Sequence, residues 1–240
     1  MSRTKKLIIA ILLVILVGLV ASIFGALNSG PDLTQEDSEV LILAADKYEQ
    51  SNGGVDMAFM IHLKNGSFDG YDPIYPGDMT HPSQPASSAI GGGKMFMHDC
   101  LYDGVDDGMQ YAKEIVEANT NFTPDAVVVV YDEGVDNVIN TIRPLTVNGE
   151  VKNISAADII RENDAYAGYE GNEDVTGTMS RGDAVMVLVK ALAEAAADPA
   201  KKAKMADAAL QEYNKGNIIM QPEGSFTKLL ATKGIETIGK

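Results

Sequence analysis

Apolar and polar residues alternate along this chain on three scales, and each scale predicts a different kind of element. The coarsest is a run over residues 7–27 with no charged side chain, preceded by Arg3, Lys5 and Lys6. At about 1.5 Å per residue, a helix of that length spans roughly 30 Å, the thickness of a bilayer's hydrocarbon core. The reading is a transmembrane helix over 7–27. Its basic flank, residues 1–6, is then a short cytoplasmic tail, and all that follows is extracytoplasmic. A cleaved signal peptide is the alternative, but its apolar region is usually about 7–15 residues long and ends at a small-x-small site. Here Leu19 before Ala21 and Phe24 before Ala26 make poor cleavage points. Residues 28–38 are polar and aperiodic, which suits a linker to a single domain over 39–240.

Within that domain the finer periods are two and 3.6 residues. Strands are predicted over 39–45, 55–64 and 67–72, the last two joined at Asn65-Gly66, a strong hairpin turn. Residues 125–131 (DAVVVVY) are apolar on both faces and predict a central strand, and 217–221 predict a last one. Asn148-Gly149 joins two short strands. Helical spacing covers 92–102, 106–118 and 134–142, the last with Val135, Val138, Ile139 and Ile142 on one stripe. Ser155 caps a helix through Arg161. Ser180, with Asp183 three residues on, caps another over 181–197, and 199–215 form a helix stopped at Gly216. Pro73, Pro76, Pro82 and Pro85 exclude a helix from 71–88, which reads as a loop. Strands mixed with helices predict an α/β (α+β) domain, a mixed sheet with flanking helices in three layers.

Charge narrows the partners. Sixteen of the 19 Lys and Arg lie beyond residue 27, against all 34 Asp and Glu, leaving that part at −18. Such a field repels nucleic acid, so no nucleic-acid partner is expected, and any phosphate-bearing ligand would need a cation. Cys100 is the one cysteine. It sits in an apolar pattern and reads as a buried small hydrophobe, so no intramolecular disulfide forms. Asn65, Asn121 and Asn153 each begin an Asn-x-Ser/Thr sequon on the exterior part.

Two places could carry chemistry. Asp46 closes the first strand and Asp56 opens the second, so their carboxylates can converge at a sheet edge and share a hard cation. Against that stands the commonness of Asp at turns. Arg181 stands in the first turn of the helix capped by Ser180, where the helix dipole disfavours a cation unless an anion binds. The alternative is an ordinary capped helix with a solvated Arg. Gly91-Gly92-Gly93-Lys94 fails as a phosphate loop, with Ser88 for its first Gly and Met95 for its Ser or Thr. His62, His81 and His98 lack zinc-ligand spacing.

The segments LILAADKYEQ (41–50), GGVDMAFMIHLKNG (53–66), YPGDMTHP (75–82), DAVVVVYDEGVDNVINTIRPLTVNG (125–149) and MSRGDAVMVLVKAL (179–192) resemble an uncharacterised family of archaeal membrane-anchored domains of the DUF4012 type. More distantly, the layout is similar to the LytR–CpsA–Psr envelope proteins, which transfer glycopolymers from a polyprenyl pyrophosphate carrier to the cell wall. That resemblance implies Mg²⁺ held by Asp46 and Asp56, with Arg181 and Asp46 as catalytic residues. It also implies a partner that is a polyprenyl-linked glycan or cell-wall polymer at the membrane. Val55, Gly77 and Thr178 stand where that family carries Arg. Two functions stay open: Mg²⁺-dependent binding or transfer of a lipid-pyrophosphate-linked glycan, and a non-catalytic envelope binding or assembly protein on the same scaffold.

Overall fold

The computed structural model of the chain describes residues 37–65, 67–165, 177–196 and 198–223. The transmembrane helix expected over 7–27 falls outside them. Among the described residues no helix is long and apolar enough to cross a membrane.

Five strands form the main sheet: β1 (Ser38–Asp46), β2 (Gly54–Lys64), β3 (Ser67–Ile74), β6 (Ala126–Tyr131) and β9 (Ile218–Gln221). Their order is β3-β2-β1-β6-β9. β1 runs parallel to β6 and antiparallel to β2, and β9 is antiparallel to β6, so the sheet is mixed. All six residues of β6 are buried, as an apolar run on both faces requires.

Alternation along the strands splits the core in two. Leu41, Leu43, Met60, Val127 and Val129 pack on one face against Met109, Ile115 and Val116 of helix α1 (Val105–Asn119). Val40, Ile61, Leu63, Val128 and Val130 pack on the other, where four helices gather: α2 (Asp132–Asn140), α3 (Ala156–Asn163), α4 (Arg181–Ala196) and α5 (Pro199–Asn214). The result is the expected three-layer domain. Each fully buried aliphatic side chain contributes about 1.5–3 kcal/mol, which is why no disulfide is needed. A hairpin of β7 (Leu145–Val147) and β8 (Glu150–Lys152) precedes α3, with Asn148 at φ +52°. Ser155 and Asp158 complete a capping box at the start of α3.

Two expectations are corrected. Residues 92–102 form no α-helix: β5 (Lys94–Phe96) and a 3-10 turn over 97–99 replace it. Gly91, Gly92 and Gly93 all take positive φ, which breaks a helical start. Met95 and Met97 then point inward while Lys94 is exposed, a period of two rather than 3.6. Residues 71–88, read as loop, hold the end of β3 and a further strand, β4 (Thr80–Pro85), paired with β5. Pro82 and Pro85 fit because this small ladder lies outside the main sheet and makes few bonds, and Pro73 fits because β3 is an edge strand.

Candidate functional site

Parallel β1 and β6 end at the same sheet edge, and β2 begins there. In open α/β sheets such carboxyl ends are where ligands sit. Asp46 closes β1, half-buried, with its Oδ1 accepting the Tyr48 N–H at 2.9 Å. Its register partner on β2 is Gly54.

Simple alternation would turn Asp56 away from Asp46, toward α1. A β-bulge prevents this. Ala45 pairs with Val55 but Ala44 pairs with Met57, leaving Asp56 as the extra residue. Val55 and Ala58 both pack in the α1-side core, so the two residues between them turn to the opposite face. Asp46 lies on that face too, since its neighbour Ala45 packs on the α1 side. The bulge therefore brings both carboxylates to one face of adjacent strands.

Asp56 also lines a cavity of about 260 Å³ beneath the start of α4. Its lining includes the polar side chains of Asp56, Ser180 and Asp183 and the largely apolar ones of Phe59, Tyr71 and Met186. The Phe59 and Tyr71 ring centroids are 6.4 Å apart, and the Tyr71 hydroxyl donates to Met186 Sδ at 3.8 Å. Burial pushes the Tyr71 phenol above its ordinary value, and Tyr75, Asp183 and Asp72 add to the shift. Ser180 caps α4 as expected, its Oγ accepting the Asp183 N–H at 3.2 Å and donating to Asp183 Oδ2 at 2.9 Å. Arg181 opens α4, so its backbone sits by the cavity, but its side chain lies outside the described part of the structure. Asp46 is not among the cavity's lining.

Could these residues hold a metal? Among the described residues no group of three His, Cys, Asp or Glu is arranged around a common point. Two carboxylates on one face suit Mg²⁺, which usually takes one or two carboxylates plus substrate phosphates and keeps several waters. The histidines pair separately with carboxylates: His62 with Glu39 and Asp72, His81 with Glu114, His98 with Glu49 and Asp99.

Sequence reasoning missed a network on the same edge. Lys47 Nζ donates to Asn217 Oδ1 at 2.7 Å and to Glu133 Oε2 at 3.1 Å. The Lys47 N–H reaches Asp132 Oδ1 at 3.2 Å. Asn217 Nδ2 in turn donates to the buried Glu212 Oε2 at 2.6 Å. Burial works against Glu212 ionising, but hydrogen bonds from Lys215, Asn217 and Asn137 outweigh it and hold its pKa below the ordinary range. The signal available was Asp-Lys and Asp-Glu, each directly after a buried strand.

The chain is similar to several solved structures. A transcriptional regulator from Enterococcus faecalis is 13% identical, covering 86% of this chain and 74% of its own, with a TM-score of 0.50. TagV of B. subtilis is 16% identical over 82% of this chain and 80% of its own, TM-score 0.49. TagT bound to LIIa-WTA is 13% identical over 85% and 78%, TM-score 0.42. At 13% identity, the likeness to the Enterococcus faecalis protein is one of fold alone. No curated protein matches the chain. Residues 35–166, more than half of the chain, match the family described as "Protein of unknown function (DUF4012)". The chain belongs to that family.

Proposed function

We propose that this is a membrane-anchored protein of the cell envelope whose extracytoplasmic domain binds the pyrophosphate head of a lipid-linked glycan through Mg²⁺. The observation that carries the reading is the bulge that turns Asp56 onto the face of Asp46, beside a cavity lined by both polar and apolar side chains. Asp46 and Asp56 would hold the ion. When bound, it would offset the charge of the pyrophosphate oxygens in a strongly acidic domain. Arg181 and the first N–H groups of α4 would orient the distal phosphate. Phe59, Tyr71 and Met186 would cover the first carbons of the lipid and exclude water from the head group.

A second reading, binding or assembly without transfer, has its own support. Val55 is 1% exposed within the core, so that position offers no cation to a phosphate. Lys47 is already engaged by Glu133 and Asn217.

The test is titration of the full-length protein in detergent with a polyprenyl pyrophosphate, with and without Mg²⁺. Binding should need the ion and weaken at least about tenfold, about 1.4 kcal/mol, in Asp46→Ala, Asp56→Ala and Arg181→Ala. Binding that is absent, or equal in all four proteins, removes the proposal. Glycan transfer measured on the same samples separates the two readings.

A further inference from the structure

The two site carboxylates are joined by a loop, residues 47–53, and the structure fixes that loop at its far side. Gln50 Nε2 donates to the His98 carbonyl at 2.9 Å, and Asn52 Nδ2 donates to the Tyr102 carbonyl at 2.9 Å. The Tyr131 hydroxyl donates to the Asn52 carbonyl at 2.7 Å. A further tie is ionic: His98 Nε2 lies 3.3 Å from Glu49 Oε2, while His98 Nδ1 lies 2.9 Å from Asp99 Oδ1. The pair packs so closely over the start of β2 that a Cβ on Gly54 would come within 2.7 Å of Glu49 Oε2 and 2.8 Å of His98 Nε2. A side chain at position 54 would therefore displace the Glu49 and His98 tips.

Two carboxylates on one imidazole decide its protonation state. A neutral ring has a single N–H and can serve one of them, leaving a bare nitrogen facing the other oxygen lone pair to lone pair. Both contacts are attractive only when His98 carries two protons. Asp99 belongs to the same turn and is the closer partner, so a neutral ring keeps Asp99 and releases Glu49. We propose that His98 is a pH-dependent positioning residue that, through Glu49, tightens the loop between Asp46 and Asp56 when doubly protonated and loosens it when neutral.

Among the described residues, the charged groups acting on His98 are Glu49 from the loop and Asp99 from its own turn. Burial lowers the ring's pKa, but hydrogen bonds to Asp99 and Glu49 outweigh that and raise it above the ordinary 6.5. A raised folded-state pKa places the stabilisation in full below 6.5 and removes it as pH climbs through the raised value. That the loop's order matters to ligand binding rests on the carboxylate reading above. The tightening itself does not.

Amide hydrogen exchange on the full-length protein in detergent, without Mg²⁺ or lipid, tests it. Rates are normalised to intrinsic exchange between about pH 5.5 and 8.5, the span in which histidine titrates. The readout is confined to residues 47–53, the loop that Glu49 belongs to. Protection there should fall about fivefold or more as pH rises in the wild type. It should be flat with pH in His98→Gln and in Glu49→Gln, the second variant covering any failure of the first to fold. Constant protection in the wild type, or the same pH step in both variants, overturns the proposal. Since no ligand is present, that failure is distinct from a failure of the Mg²⁺ titration.

Discussion

Cys100 shows how far a single side chain's fate follows from its surroundings. It is 2% exposed in the α1-side core, and burial, with Asp99 nearby, pushes its thiol pKa up to about 12. At neutral pH almost none is thiolate, the reactive form. A thiol-reactive dye should therefore leave the native protein unlabelled and label one equivalent after denaturation. Prompt native labelling would show that the core around residues 97–101 opens. The same apolar spacing made this residue legible in the sequence, as it did Asp46 and Asp56, which fall where strands end. Lys47, Glu133 and Asn217 were not legible. Their bonds span 86 and 170 positions along the chain, and no local pattern announces a contact of that range.

Elements with a long, consistent period were readable: β1, β2, β6 and helices α1 to α5 each fall within a few residues of their expected bounds. The bulge in β2 was not, because the unbroken apolar run over 57–61 shows no alternation in which a one-residue shift could be seen. Nor was the 94–99 segment, where period two and period 3.6 differ by a single inward residue. Tertiary packing decided it. Gly108 in α1 makes the same point about competing effects. A Cβ there would lie 2.7 Å from the Cys100 carbonyl oxygen and 2.8 Å from Leu101 Cα, both backbone atoms. Gly108→Ala gains up to about 1 kcal/mol of helix propensity. Forcing the helix off the 100–101 backbone costs about 1–3 kcal/mol. The expected balance is a lower midpoint in urea, and an unchanged or higher midpoint would mean that the turn yields freely.

Charge acts on the molecule as a whole. With 34 acidic against 19 basic residues, the folded state repels itself. Raising monovalent salt from about 0.01 to 0.1 M shortens the screening length from about 30 to 10 Å, so the melting temperature should climb over that range. Mg²⁺ at matched ionic strength should raise it further in the wild type but not in Asp46→Ala or Asp56→Ala. For an ion at about 100 times its dissociation constant, the added stability is about 2.7 kcal/mol. An identical Mg²⁺ increment in all three proteins would reduce the effect to screening. The acidic balance was plain in the sequence. The pairing of Asp46 with Asp56 was an expectation from strand ends, but that a bulge sets both on one face of the sheet became visible only when the strands were paired.

Strand β1 enters the domain at Ser38 and finishes at Asp46, roughly 27 Å away. Its neighbours bond it along both flanks, antiparallel β2 on one and parallel β6 on the other. Tension arriving through the preceding residues would draw this rod lengthwise, shearing two ladders together instead of peeling them bond by bond. The domain is thus built to bear a pull applied through the residues before β1, and the far tip of the loaded rod is the residue on which the candidate site is founded.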